Sequence, residues 1–493
     1  MHRITLVVMA SLVPLTITQR AAAQTTASSA PYSIAERGAV SVETVGGADL
    51  MIVGYGRAQA TTISAAGVSI FGFRQNGVLV TEAGVPGVIT FTSGRTYAEV
   101  NGPINTGMAF ANLNSFPVVI SFNFTDQAGN DFGQNSFTLG ANVQTAKFLN
   151  ETPFSAAPFS GTFSFSASAP VALAALRTFV NQRGEFLVTS QPVTEIPDTI
   201  SANASVMGHF ADGSGWNTQV ILVNTSDTAI SGTVQFYGEG SATLAASPVT
   251  LTVNGQVGAS FPYAIPARGS IKFQTSGPNS LAAQVGSVRI MPTAGSNSPA
   301  AFTVFSLSTN DGVTVSQATV QAQPAGKAFR TYVEVNSSNA LSGSIQSGFA
   351  IANTSPTAAT VNLELTSMDG LNSGLSATVV VPAFGHSSKF VHELFPSLGL
   401  PFRGILRASS SGSISMVSLR MRYNERRNLL ITTIPATNEA SAATGADLIF
   451  PHIVDRGGYT TQFILFNYVP NQTPSGTLRF LSQSGQALSL NIR

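Results

Sequence analysis

Val206–Phe236 reads VMGHFADGSGWNTQVILVNTSDTAISGTVQF, and the pattern returns near the far end of the chain as Phe450–Phe480, FPHIVDRGGYTTQFILFNYVPNQTPSGTLRF. His209 and His452, Asp212 and Asp455, Gly215 and Gly458, Gln219 and Gln462, and Asn224 and Asn467 are each 243 residues apart, and Gly232 and Gly476 are 244 apart. Self-similarity at a long fixed period is the mark of tandem architecture. Within each copy apolar and polar residues alternate over short runs, as at Gln219–Val223, Gly232–Phe236 and Thr477–Leu481. That period of two, with β-branched and aromatic content, specifies strands. The same pattern fills Val118–Phe124 and Thr360–Leu365, with turn pairs at Asp311-Gly312, Asp369-Gly370 and Ser484-Gly485. The best helical candidate is a short turn at Phe390–Leu394. The chain is therefore expected to be all-β.

Two kinds of repeat alternate. The opening stretch belongs to a B type. An A type carries Arg95-Thr96-Tyr97 with Glu99-Val100-Asn101, and again Arg330-Thr331-Tyr332 with Glu334-Val335-Asn336, each followed by G-x-A-x-A-N at Gly107–Asn112 and Gly348–Asn353. The ends of the A copies match at 243 residues: Leu176-Arg177 with Leu419-Arg420, Asn181 with Asn424, Arg183 with Arg426, and Pro192 with Pro435. Asn112, Asn224, Asn353 and Asn467 share one position at a strand end, at spacings of 112, 129 and 114 residues. Each interval is about the length of one β-sandwich.

The expected organisation is a signal peptide at 1–23, a flexible lead-in at 24–33, the second half of a B repeat at 34–86, an A sandwich at 87–195, a B sandwich at 204–322, an A sandwich at 328–437, and the first half of a B repeat at 445–493. The half repeats rest on Arg37-Gly38-Ala39-Val40 with Thr44, which matches Arg268-Gly269-Ser270-Ile271 with Thr275. Two arrangements account for such complementary ends. Either the terminal halves pair and close an A-B-A-B assembly, or the chain is cut from a longer linear array. An unfinished sandwich exposes a half core and unpaired edges, which stable proteins avoid, whereas truncation is the plainer account, so both arrangements stay open.

Composition narrows the class. Charged residues make up 10% of the 493 residues, against about 25% in an average soluble chain, and the net charge is +1. No basic field points to nucleic acid, and Lys147, Lys272, Lys327 and Lys389 are scattered. His2-Arg3, the apolar run Ile4–Ile17 and Ala21-Ala22-Ala23 read as a secretory signal cleaved near Ala23. Nothing later is apolar for long enough to span a bilayer as a helix. With no cysteine, disulfides and thiolate metal sites are excluded. The address is secreted or cell-surface, in a bacterium.

The sharpest local pattern is H-φ-x-D-x-x-G-[W/Y]-x-T-Q, at His209–Gln219 and His452–Gln462. Read functionally, imidazole and carboxylate lie on a loop beside an aromatic platform, so His209, Asp212, Trp216, His452, Asp455 and Tyr459 are the ligand-binding candidates. Read structurally, the aspartate ties a tight turn and the glycine supplies positive φ. Turn chemistry is preferred, because the motif occurs twice and the A copies carry Tyr97 and Tyr332 nearby in place of histidine. His386 and His392 flank Lys389-Phe390, whereas Lys147-Phe148 and Lys272-Phe273 recur without histidine, so both histidines read as incidental and the lysines as edge-strand guards. Asp126, Asp131 and Asp369 read as turn residues; the calcium-loop pattern is missing. Arg420, Arg422, Arg426 and Arg427 read as a solvated hairpin. Gly54-Tyr55-Gly56 lacks the third glycine of a dinucleotide loop. Catalytic signatures such as G-x-S-x-G and H-E-x-x-H do not occur, and the acids read as mostly turn residues.

The run Gly215–Asp227 with Gly232–Phe236, Ala267-Arg268-Gly269-Ser270 and the strands around Arg289 and Arg57 resemble the secreted β-sandwich repeats found in uncharacterised exported proteins of soil bacteria. The resemblance spans nearly all of the chain after residue 23 and is sharp only in the B copies. It implies tandem Ig-like modules at the cell surface. It brings no activity and no catalytic residue with it.

Taken together, the sequence leads to a non-enzymatic structural or adhesion protein without cofactor or metal, whose partners are cell-surface or matrix polysaccharide or protein. The second reading is a carbohydrate-binding protein using Trp216, Tyr459, Tyr97 and Tyr332; it requires those four rings to share a face. An extracellular hydrolase comes third and requires converging acids or a His–Asp pair in a cleft.

Overall fold

The computed structural model describes residues 24–196 and 201–493, so the leader expected at 1–23 lies outside the described residues. The chain is nearly all strand in antiparallel pairs, and the one α-helix among the described residues is the turn Val391–Leu394.

In the B unit, Ser205–Asp212, Gln284–Pro292, Ile230–Tyr237 and Ser260–Ile265 form one four-stranded sheet, and Ser270–Gln274, Trp216–Val223, Ala300–Ser308 and Thr314–Gln321 form the other. Alternation sends Ile230, Val234 and Phe236 inward to meet Val220, Leu222 and Phe273 from the opposite layer. Each such large side chain contributes about 1.5–3 kcal/mol on burial.

The same two layers are built a second time from both ends of the chain. Ser29–Ser33, Ser475–Ser482, Ile52–Ala60 and Leu448–Asp455 make one sheet, and Ala39–Glu43, Tyr459–Phe466, Ala66–Gln75 and Val78–Pro86 make the other. Tyr32 and Ile34 share this composite core with Phe450, Phe463, Leu478 and Phe480. The expected flexible lead-in at 24–33 is therefore corrected: Thr25–Ala27 pairs with Leu490–Ile492, and Ser29–Ser33 pairs with Ser475–Ser482. Its small polar residues hid a strand because this is a sheet edge, where one face and one row of backbone groups stay in water. The repeated glycines explain its aromatic residue. A side chain at Gly232 would strike Tyr263, and one at Gly476 would strike Tyr32, so each glycine makes room for a ring lying across the strand.

The A units use a different device. Phe159–Val180 and Phe402–Tyr423 are 22-residue strands, far longer than the short runs read from the sequence. Each breaks register midway, pairing first with one layer and then with the other. Phe110, Phe122, Phe124 and Phe163 fill the first A core, and Phe329, Phe349, Ile351 and Leu363 lie in the second.

The four equivalent asparagines are corner clamps, each nearly inaccessible to solvent. Asn224 Nδ2 donates to the carbonyls of Thr228 and Pro266 while its Oδ1 accepts from Ser226 N–H. Asn112 and Asn353 do the same in the A units. Asn467 donates to Gln472 and, across the two ends of the chain, to Ala35. A buried side-chain amide that meets all its partners fixes a loop without cost, whereas an unmatched one costs about 1–3 kcal/mol.

Neighbouring units are keyed together by polar groups as well as apolar ones. Arg95 of the first A unit donates to Asn224 O of the B unit at 3.0 Å, Arg289 of the B unit to Asn353 O of the second A unit at 2.8 Å, and Arg330 of the second A unit to Asn467 O of the composite unit at 3.2 Å. Tyr55 of the composite unit closes the circuit by donating to Asn142 O of the first A unit at 3.0 Å. The final strands of all four units meet around a small central cavity of about 200 Å³. The two ends of the chain thus close a ring of four two-layer units.

Candidate functional site

The H-φ-x-D motif does not form the loop expected from the sequence. His209 and His452 lie within strands Ser205–Asp212 and Leu448–Asp455, at matching register shifts between Met207 and Phe210 and between Phe450 and Ile453. A bulge re-aims the side chains around it, and here the partners of histidine and aspartate separate. Asp212 Oδ1 accepts from Gly277 N–H at 2.7 Å and Asp455 Oδ1 from Gly46 N–H at 3.1 Å, inside their own units. Gly215 and Gly458 take φ of +84° and +90° in the turns that follow. The glycines supply positive φ as the structural reading expects, but each aspartate ties down a distant loop of its unit where its own turn was expected. Each histidine instead lines a cleft against the neighbouring A unit.

There are two such clefts. One, of about 440 Å³, lies between the composite unit, which supplies His452, Tyr459 and Phe73, and the first A unit, which supplies Met108, Phe148 and Leu176. The other, of about 450 Å³, lies between the B unit, with His209, Trp216 and Phe305, and the second A unit, with Phe349, Phe390 and Leu419. Lys147 and Glu151 stand on the first, Lys389 and Glu393 at the equivalent places on the second. These lysines are exposed at the cleft mouths. Lys272 is different: it reaches Glu99 of the first A unit at 3.2 Å, so it joins two units where an edge guard was expected.

The histidines behave differently in the two clefts. His209 Nδ1 lies 3.0 Å from His386 Nε2, with the rings stacked at 5.1 Å. His386, expected to be incidental, is buried, and its Nδ1 faces Glu239 at 3.9 Å. Burial, and then the neighbouring His386, push the His209 pKa down to about 3, and burial also lowers His386. The His386 imidazole 3.9 Å away holds Glu239 below its ordinary value. In the other cleft Gln144 replaces His386 and donates to Pro451 O. His452 meets only the edge of Phe71, its Nδ1 has no partner, and burial alone lowers it to about 4. Sequence reasoning missed His386 because its partner is 177 residues away.

The four rings proposed for sugar stacking do not share a face. Tyr97 and Tyr332 are sealed in separate interfaces, Tyr97 with Ile221 and Phe302, Tyr332 with Ile405 and Ile464. Trp216 and Tyr459 alone remain partly exposed, one in each cleft, and Tyr459 stacks on Phe73 at 4.3 Å.

The arginine cluster and several acids also depart from expectation. Arg420 is buried between Glu82 of the composite unit and Glu334; burial opposes its charge, and the two carboxylates outweigh burial and raise its pKa. Arg422 reaches Glu82 at 2.9 Å, and Arg426 pairs with Glu185. Arg177 pairs with Glu99 at 3.2 Å, both almost fully buried. Strand positions, not turns, hold Glu82, Glu99 and Glu334, while Glu185 lies in the hairpin before Phe186–Gln191. Asp126 and Asp369 are turn residues: Asp126 Oδ1 accepts from Ala128 and Asn130 N–H, and Asp369 Oδ1 from Leu371 N–H. Among the described residues no group of three or more His, Asp or Glu is placed to hold a metal. No helix among them is long and apolar enough to cross a membrane.

No family model and no curated protein matches the chain. Among solved structures, Thermotoga maritima 1070 aligns with 24% of this chain and 100% of its own at 13% identity and a TM-score of 0.20. The archaeal virus protein described by its triple jelly roll fold and turret assembly aligns over 87% of this chain and 91% of its own at 11% identity and a TM-score of 0.13. A structure of infectious bursal disease virus, Gx strain, covers 82% and 84% at 10% identity and a TM-score of 0.12. Likeness at this level carries no functional weight.

Proposed function

We propose that the chain is an exported, non-enzymatic structural or adhesion protein of tandem Ig-like repeats, acting at the cell surface or in the extracellular matrix. The observation that carries this reading is the polar keying of the four units to one another, in a chain with few charges and no disulfide. Supporting it, the buried acids Glu82, Glu99 and Glu334 are each matched by arginine inside interfaces, and the histidine and aspartate of the repeated motif have separate partners. A hydrolase needs such groups to converge on substrate.

The test has two parts. Expressed in a bacterial host with residues 1–23 present, the protein should leave the cytoplasm and begin at Gln24, as read by intact-mass spectrometry. The purified protein should then be retained on cell envelopes or matrix polysaccharide. A product that stays cytoplasmic with its first residues intact, or that no envelope fraction retains, ends this reading.

A further inference from the structure

The strongest unassigned feature is the cleft around His452. Its walls are apolar, with Phe71, Phe73, Phe148 and Met108 prominent. Nearly every polar group that lines it is already occupied. Thr81 Oγ1 exchanges hydrogen bonds with Val188, Thr178 Oγ1 donates to Asn105 O, and Gln483 donates to Gln144. One Glu151 oxygen accepts Phe148 N–H at 2.8 Å. Lys147 Nζ and the Tyr459 hydroxyl remain for a ligand, while His452 Nδ1 is unpartnered but buried. A sugar brings a hydroxyl on almost every carbon, and each one buried without a partner is penalised. A ligand suited to this lining has a large apolar body and one polar head.

We propose that this cleft binds one small amphiphile, an acyl or aryl body lying against Phe73, Tyr459 and Phe148 with an anionic head at Lys147. The twin cleft is the weaker site for the same ligand. There the second imidazole, His386, packs against His209, and the charge of Lys389 also acts on Glu239. The equivalent place in the first cleft holds Gln483, which bears no charge. Glu151 is the one opposing charge on the binding side, so its removal and the reversal of Lys147 have opposite effects.

Dodecanoate, titrated below its micelle concentration into the purified chain by calorimetry, tests this. Saturable binding of one dodecanoate per chain is expected. Lys147→Glu should weaken it by about tenfold or more, the size of one lost charge-assisted contact. Lys389→Glu should change it by less than about twofold, and Glu151→Gln should tighten it, by the same electrostatic reasoning. All three side chains are exposed, and unchanged thermal melting of each variant separates binding from folding. Absence of saturable binding overturns the proposal, as does equal sensitivity to Lys147→Glu and Lys389→Glu. Saturable binding of a neutral oligosaccharide to this cleft with dodecanoate silent overturns it in favour of sugar. Retention on envelopes is read separately, so failure here and failure of the structural role are distinguishable.

Discussion

The two clefts come from equivalent stretches of sequence and end in different chemistry. Both have a histidine on a bulged strand, an aromatic ring seven residues later, and a Lys-Phe pair across the gap. In one, a second imidazole reaches the histidine; in the other, glutamine stands at that place and the buried nitrogen has no partner. Repetition preserves the frame because the frame is made of turn glycines, corner asparagines and core rings. The residue across an interface belongs to a different unit and is free to diverge. A motif found twice is thus no assurance of one function held twice.

Removing residues 24–33 gives the largest expected break in the comparison. Tyr32 leaves the composite core and Ser475–Ser482 loses its edge partner, at a cost of about 5 kcal/mol or more, judged from the loss of a buried aromatic plus its strand. Calorimetry should show a separate low-temperature transition, and hydrogen exchange should rise around His452 while residues 205–321 keep their protection. Uniform loss of protection across all four units would contradict this.

The walls of the clefts are backed by unlike ion pairs, which gives the next contrast. Arg177, between the cleft residues Leu176 and Thr178, relies on Glu99 alone, whereas Arg420, between Leu419 and Met421, has both Glu82 and Glu334. Glu99→Ala leaves a buried charge unpaired and should cost about 3–5 kcal/mol. Glu334→Ala should cost clearly less, since Glu82 still holds Arg420. Denaturant melts of the two variants decide the order; equal losses would mean that Glu82 does not compensate.

Substituting the histidines sharpens the contrast further. His209→Phe strands the His386 nitrogen in a buried site, at about 1–3 kcal/mol, while His452→Phe removes an atom that has no partner and should lie within about 0.5 kcal/mol of the parent. The reverse order would show that His452 has a bound group in solution.

Acid gives the smallest effect per step. His209 and His452 titrate near 3 and 4 in the folded chain, against 6.5 when free. The unfolded chain therefore binds the extra protons, and stability is full above pH 6.5 and falls as pH drops through the window toward 4 and then 3. Each histidine contributes a loss of up to about 1.4 kcal/mol per pH unit. Melting temperatures from pH 7 to 5 check this, and the slope should shrink in His452→Phe.

The all-β character, the short helical turn and the paired motifs were legible because each depends on local chemistry: alternation, turn residues, and glycine where a ring or a positive φ demands it. Asn112, Asn224, Asn353 and Asn467 marked the unit corners before their carbonyl partners were known, since one amide at one strand end recurs wherever the same loop must be fixed. The edge strands at 24–33 were not legible, because an exposed edge has almost no apolar signature. Neither was the pairing of His209 with His386, or of Arg420 with Glu82 across 338 residues of chain. By itself the sequence determined most of the inner strands, their turns and the long-period pattern that links them, all set by neighbours along the chain. Only the tertiary structure decided which charges are buried, which rings are sealed and which histidine finds a partner. Those outcomes depend on surfaces that meet when the four units close on one another.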